Sequence, residues 1–176
     1  LWSYTSRPEL PGEIEVADAR EILDDALIIR HRQTGSPALF SDRFRFELIA
    51  RGYGAWMDTD LLVLRRIEPA DGFLGSHEIA RKPSVGVWAL MFPPGSDLAE
   101  CVLHYARQTN YIPPWQPWRD RLDLHLRRAT FRDWSVAVHP WGSAGPQLMA
   151  YACARTGWTH RLSPMERFAP LFYNQK

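Results

Sequence analysis

The chain lacks any apolar run approaching the roughly 20 residues that a membrane-spanning helix needs, and no secretory leader is visible at its start. It lacks charge excess as well. Twenty-one Lys and Arg against 20 Asp and Glu leave a net charge of +1, without the clustered basic footprint of a nucleic-acid binder. Only two cysteines occur, Cys101 and Cys153, in helix-like segments and without metal-type spacing. A reduced pair in a reducing compartment is expected, with one disulfide as the alternative. There is no internal repeat and no low-complexity linker. With 45% hydrophobic and 23% charged residues in 176 positions, the chain fits one domain with its own core. It opens on Leu1-Trp2-Ser3-Tyr4 without an initiator Met, so an N-terminally incomplete domain spanning 1–176 is expected.

What the sequence does have is eight tryptophans and fourteen prolines. Most Trp side chains fill cores and interfaces. Trp115 and Trp118 in "IPPWQPW" offer either a packed turn or an acceptor-stacking rim. Periodicity and turn residues give a coarse map. Leu1–Tyr4 and 14–16 read as strands around a loop marked by Pro8 and Pro11, followed by a short helix in "ADAREIL". "LFSDRFRFELIARG" reads as a helix with Phe44, Leu48 and Ile49 on one face, closed by Gly52. Leu61–Leu64 reads as an extended run. Strands are expected at Phe73–His77 and Val85–Phe92, joined by a turn at Lys82-Pro83. Helices are expected at 98–108 and 118–129, the second with Leu122, Leu126 and Ala129 on its apolar face. The basic positions Arg119, Arg121, Arg127 and Arg128 read there as a solvated face. "SVAVH" reads as a strand, "PWGSAGP" as a turn and 147–155 as a helix. Such alternation predicts an α/β fold with a mainly parallel sheet flanked by helices.

Asp58-Thr59-Asp60 carries the chemistry. In an extended chain, side chains two apart point the same way, so Asp58 and Asp60 are expected to converge where a buried strand ends. Paired hard oxygens suit a divalent cation that is also held by phosphate. One helix upstream, Asp42 and Arg45 are spaced i, i+3 and share a face. A planar guanidinium suits phosphate and hydroxyl oxygens; an intrahelical ion pair facing solvent is the plainer alternative.

The stretch "ALFSDRFRFELIARGYGAWMDTDLLVLRRI" resembles the core of the DXD-containing glycosyltransferases of family 32. That family includes capsule and lipopolysaccharide sugar transferases, α-1,4-galactosyltransferases and α-mannosyltransferases. Ser41, Asp42, Arg45, Phe46, Gly52, Gly54, Trp56, Asp58 and Asp60 fall on the family pattern. "PWGSAGPQLM", through Trp141, Gly142, Gly145 and Pro146, is similar to its C-terminal Gly-Pro element. "LWSY" and "LPGEIEVADAREIL" are similar to its early strand-loop-helix. Two departures stand out: the family's first strand, with its aromatic-x-Gly element, is absent, and Ser84 stands where an Asn often follows the acidic position matched by Glu78.

The resemblance implies a GT-A type, Rossmann-like nucleotide-sugar-binding domain and sugar transfer with retention of configuration. The donor would be a nucleotide diphosphate sugar, UDP-linked, and the acceptor a glycan or glycolipid. The cofactor would be Mn²⁺ or Mg²⁺. Asp60 would be the first metal ligand; Asp58 would share the metal or orient the ribose. Asp42 and Arg45 would hold donor hydroxyls. Weaker candidates are His139 as a third metal ligand, His31 beside phosphate and Glu78 beside the acceptor. No catalytic base or nucleophile is named. No nucleic-acid partner is expected; the expected location is cytoplasmic, with peripheral association at the inner face of a membrane. Two other classes remain: a nucleotidyltransferase-like phosphate enzyme and a non-catalytic sugar-nucleotide-binding module.

Overall fold

A computed structural model describes residues 1–5, 12, 14–78 and 83–168. The residues expected to form the Pro8/Pro11 loop and Lys82 of the hairpin turn lie outside the described residues. The fold is mixed α/β, with β1 (Trp2–Ser3), β2 (Ala17–Asp18), α1 (Ala38–Ala50), β3 (Trp56–Met57), β4 (Leu74–His77), β5 (Val85–Met91), α2 (Asp97–Ala106), α3 (Trp118–Ala129) and α4 (Leu148–Thr156).

The expectation of a mainly parallel sheet is corrected by the strand pairing. Only β1 and β2 pair in parallel, over two residues each. The larger sheet has the order β3-β5-β4 and both of its pairings are antiparallel. The reason for the second pairing is local: β4 and β5 are separated by a short connection, which permits a hairpin but not a crossover. No helix among the described residues is long and apolar enough to cross a membrane.

Helix α1 is the centre of the molecule. Leu39, Phe40, Phe44, Phe46, Leu48 and Ile49 are all buried, so the helix is covered around its circumference rather than on the single face expected from Phe44, Leu48 and Ile49. One side packs with β5, α2 and α4 through Phe46, Ile49, Val87, Leu90, Leu98, Val102 and Leu148. The other packs on the N-terminal segment through Phe40, Phe44, Leu48, Ala19, Ile22 and Leu23. Its end is a Schellman motif. The Gly52 amide donates to the Ile49 carbonyl at 2.9 Å and the Tyr53 amide to that of Leu48 at 3.3 Å, with Gly52 at φ +81°. That reversal turns the chain straight into β3.

Burying α1 on all sides also buries three charged residues, Asp42, Arg45 and Glu47, which is rare unless such groups are paired. Glu47 meets Arg107 in a two-pronged bond, Nε at 2.7 Å and Nη2 at 2.9 Å. Asp42 and Arg45 are partnered at the site described below.

Three further expectations differ from the fold. Leu61–Leu64 belongs to no strand, and Leu62 and Leu64 are each 82% exposed. "SVAVH" forms a short 3-10 turn over Val136–Val138, ended where Pro140 follows. Helix α3 has the expected span, but it packs on the body through Leu124, leaving Leu122 and Leu126 exposed. Both cysteines are free thiols.

Candidate functional site

Residues from four places in the chain meet at one cleft of about 150 Å³, lined by Ala38, Leu39, Asp42 and Arg45 of α1, Asp58 after β3, Val87 and Trp88 of β5, and Trp141, Gly142 and Pro146. Arg45 is its hub. Its Nη1 donates to the Val87 carbonyl at 2.6 Å and lies 3.5 Å from Asp58 Oδ1. Its Nε lies 3.6 Å from Asp42 Oδ1, and Nη2 reaches Ser41 Oγ at 3.4 Å. The guanidinium carbon sits 5.1 Å from the centroid of the Trp56 ring, a cation–π contact. Arg45 thereby ties α1 to β5 and to the residue that follows β3.

Asp58 is fixed from three directions. Its amide continues the β3–β5 ladder to the Trp88 carbonyl at 2.8 Å, and its Oδ1 accepts from Trp56 Nε1 at 2.6 Å. Arg45 supplies the third contact. Its side chain keeps 31% exposure, against 8% for Arg45, so Asp58 presents charge to the cleft. Asp60 does not share a strand face with it, as strand alternation predicts. The Leu61 amide bonds the Asp58 carbonyl at 3.1 Å, a tight turn that takes Asp60 out of the strand. Asp60 is exposed, and among the described residues it makes no hydrogen bond or ion pair. Among the described residues, no group of three His, Cys, Asp or Glu side chains is placed to hold a metal.

The opposite wall is a π-helical turn, Ser143–Gln147, leading into α4. Such turns occur disproportionately at functional sites. It is entered through Gly142 at φ +77°. Trp115 Nε1 bonds the Ser143 carbonyl at 3.1 Å, and Gln116 Nε2 bonds Ser143 Oγ at 2.9 Å. Gly145 lies directly against Asp42: a Cβ added there would stand 2.5 Å from Asp42 Cγ. Only glycine admits the carboxylate at this depth.

Burial sets the protonation of Asp42. Loss of hydration pushes its pKa from 3.8 up to about 6, Asp58 adding to the rise and Arg45 opposing it. The folded chain therefore holds this proton to higher pH than the unfolded chain does. The Asp42 contribution to stability is complete below pH 4 and is lost as pH rises to about 6, a loss of order 3 kcal/mol. His139 acts in the opposite sense. Burial lowers its pKa from 6.5 to about 4, so its contribution is lost as pH falls through the same window. Asp42→Asn isolates the first effect. The variant is expected to melt higher than wild type at pH 7 and no higher at pH 4, by thermal melts across that range. Equal melting temperatures at pH 7 would contradict the buried-charge account.

The other sequence candidates take different places. His139 is fully buried and its Nε2 bonds the Tyr111 carbonyl at 3.0 Å; it does not line the cleft. His31 is also buried, with Nε2 3.1 Å from the His139 carbonyl and Nδ1 3.4 Å from the Thr34 amide. Its ring meets the edge of Trp141 at 5.4 Å, so His31 props a cleft wall rather than lining it. Glu78 lies past the end of β4 and accepts from Ser84 Oγ at 2.5 Å, outside the cleft. Trp115 is half-buried in an aromatic cluster with Tyr105, Tyr111 and Tyr151, the packed-turn alternative; Trp118 is exposed. Sequence reasoning missed Trp88 and the Val87 carbonyl, since no residue-type signal marks which strand carbonyl a side chain will meet. No family model, curated protein or solved structure matches the chain.

Proposed function

We propose that the chain is a metal-dependent glycosyltransferase that binds a nucleotide diphosphate sugar, UDP-linked, and delivers the sugar to a glycan or glycolipid. The observation that carries this reading is the convergence of Asp42, Arg45 and Asp58 on one cleft, closed by the Gly142–Pro146 segment about 100 residues away in sequence. These are the residues on which the resemblance to the family 32 glycosyltransferases rests. We read the α1–β3–β5 unit as the diphosphate-binding part of a GT-A type domain, although sheets of two and three strands are smaller than a full Rossmann-like layer.

A fixed guanidinium beside a half-exposed carboxylate suits an anionic, polyhydroxylated donor. Arg45 would meet phosphate or sugar oxygens with the edge not given to Val87. Asp58, held by Trp56, would accept from hydroxyls. Asp42 orients Arg45 and is too closely covered by Gly145 to act as an attacking nucleophile. Asp58, with Asp60 in the turn just after it, would hold Mn²⁺ or Mg²⁺ in the mode where one or two carboxylates act with phosphate oxygens and water. Such a cation, when bound, supplies Lewis-acid neutralisation of the leaving diphosphate.

The test is a panel of UDP-, GDP- and nucleoside-triphosphate substrates with Mn²⁺, scored for release of free sugar or pyrophosphate. Metal-dependent sugar release from a UDP-sugar is expected. Pyrophosphate release from a triphosphate would replace this reading with a nucleotidyl transfer. Arg45→Lys is expected to weaken UDP binding by about tenfold or more, because an ammonium cannot span Val87, Asp42 and Asp58 together. Titration calorimetry reads this directly, and unchanged affinity would return Arg45 to a structural role.

A further inference from the structure

We propose that α3 and the turn after it form a docking surface for anionic lipid bilayers. The helix has two apolar sides. Leu124 is buried against the body. At about 100° per residue, Trp118, Leu122, Leu126 and Ala129 fall together on the opposite side. Trp118 is 68%, Leu122 48% and Leu126 56% exposed. Among the described residues nothing covers this stripe, on a helix already anchored by Leu124.

The charges are sorted around that stripe. Arg119 borders it on one side, with His125 and Arg121 on the other, by the same helical projection; Arg128 falls nearer Leu124, with its guanidinium over the Trp134 ring. Asp120 falls toward the inward side; Asp123 lies past Arg119, its side chain 57% exposed and paired to Arg127 at 2.6 Å. The outward half of the helix is therefore apolar at its centre, with Arg119, Arg121 and His125 at its edges and the one carboxylate there, Asp123, paired to Arg127. That is the pattern of a helix lying in the headgroup region of an anionic membrane, with Trp, Phe and Leu inserted and Arg beside the phosphates.

The turn that ends α3 supplies an independent observation. The Phe131 amide donates to the Arg128 carbonyl at 3.3 Å and the Arg132 amide to that of Arg127 at 2.8 Å, a Schellman motif with Phe131 where glycine normally sits. Phe131 holds φ +54° and is 99% exposed. A bulky residue in the left-handed region is strained, and here no packing within the chain offsets the strain. Its exposed ring adds an apolar group at the helix end, where an inserted aromatic would lie at the level of the headgroups.

The test is co-sedimentation of the whole chain with phosphatidylcholine vesicles, with and without phosphatidylglycerol. Binding is expected to the anionic vesicles, weakened when salt shortens the Debye length from about 10 Å at 0.1 M to about 3 Å at 1 M. Leu122→Ser combined with Leu126→Ser is expected to lower vesicle affinity by at least about tenfold. Both positions are exposed, so circular dichroism should report an intact fold. Phe131→Gly separates the proposal from a structural role: it is expected to raise Tm while weakening vesicle binding. Absence of binding to anionic vesicles, or affinity unaffected by these substitutions, would overturn the proposal. Lipid-independent self-association abolished by the leucine substitutions would overturn it too, by assigning the face to a second copy of the chain.

Discussion

Gly145→Ala is expected to destabilise the chain by roughly 3 kcal/mol, a fall in Tm of roughly 10 °C, and to abolish UDP binding. The added methyl would stand 2.5 Å from Asp42 Cγ, and neither side can yield easily. Asp42 sits on a helix buried around its circumference, and Gly145 lies in a turn tied down by Trp115 and Gln116 through Ser143. Gly145 does not hold a positive φ, so alanine carries no backbone penalty there and the whole effect is steric. A double-mutant cycle checks this. In an Asp42→Ala background the carboxylate is gone, and Gly145→Ala should cost about 1 kcal/mol or less; undiminished loss in that background would mean the cleft wall is held by something other than this contact.

Asp60→Asn is expected to lower metal-dependent hydrolysis of UDP-sugar by about 100-fold or more, with a melting curve within error of wild type. The two halves of this expectation have different origins. Asp60 is exposed and unpaired among the described residues, and substitutions at such positions usually change stability by less than about 0.5 kcal/mol. On the proposed function, the loss of activity would follow from removing one of the two carboxylates offered to a cation at the diphosphate. Full activity in the variant would leave Asp58 as the sole protein ligand candidate, and would reduce the second aspartate to a turn residue.

Much of the local structure was legible because it is written in neighbouring residues. The span of α3 and the hairpin strands β4 and β5 follow from periodicity and from the prolines and glycines that bound them. The circumference of α1 was misjudged for a physical reason. Its buried Asp42, Arg45 and Glu47 interrupt the apolar pattern; Asp42 and Arg45 are a pair the spacing allowed, but the partner that lets Glu47 be buried, Arg107, is 60 positions away and appears only in the fold. Strand direction was illegible in the same way: β3 pairs with β5 across residues 58–84, and nothing in the strand sequences fixes that antiparallel register. Asp42, Arg45 and Asp58 could be grouped from spacing and resemblance. The failure of Asp60 to share a strand face traces to one hydrogen bond, from the Leu61 amide to the Asp58 carbonyl. The stripe of Leu122, Leu126 and Ala129 on α3 was legible, but its outward direction was not, because periodicity locates a stripe without saying which way it points.

The central claim is that Arg45, Asp58 and the Gly142–Pro146 wall form the diphosphate end of a nucleotide-sugar site. Calorimetric titration of UDP into the chain, with and without Mn²⁺, tests it most directly. The account predicts a single site whose affinity requires the metal and falls sharply in Asp58→Asn. Absence of binding, or binding indifferent to both the metal and Asp58, would contradict it.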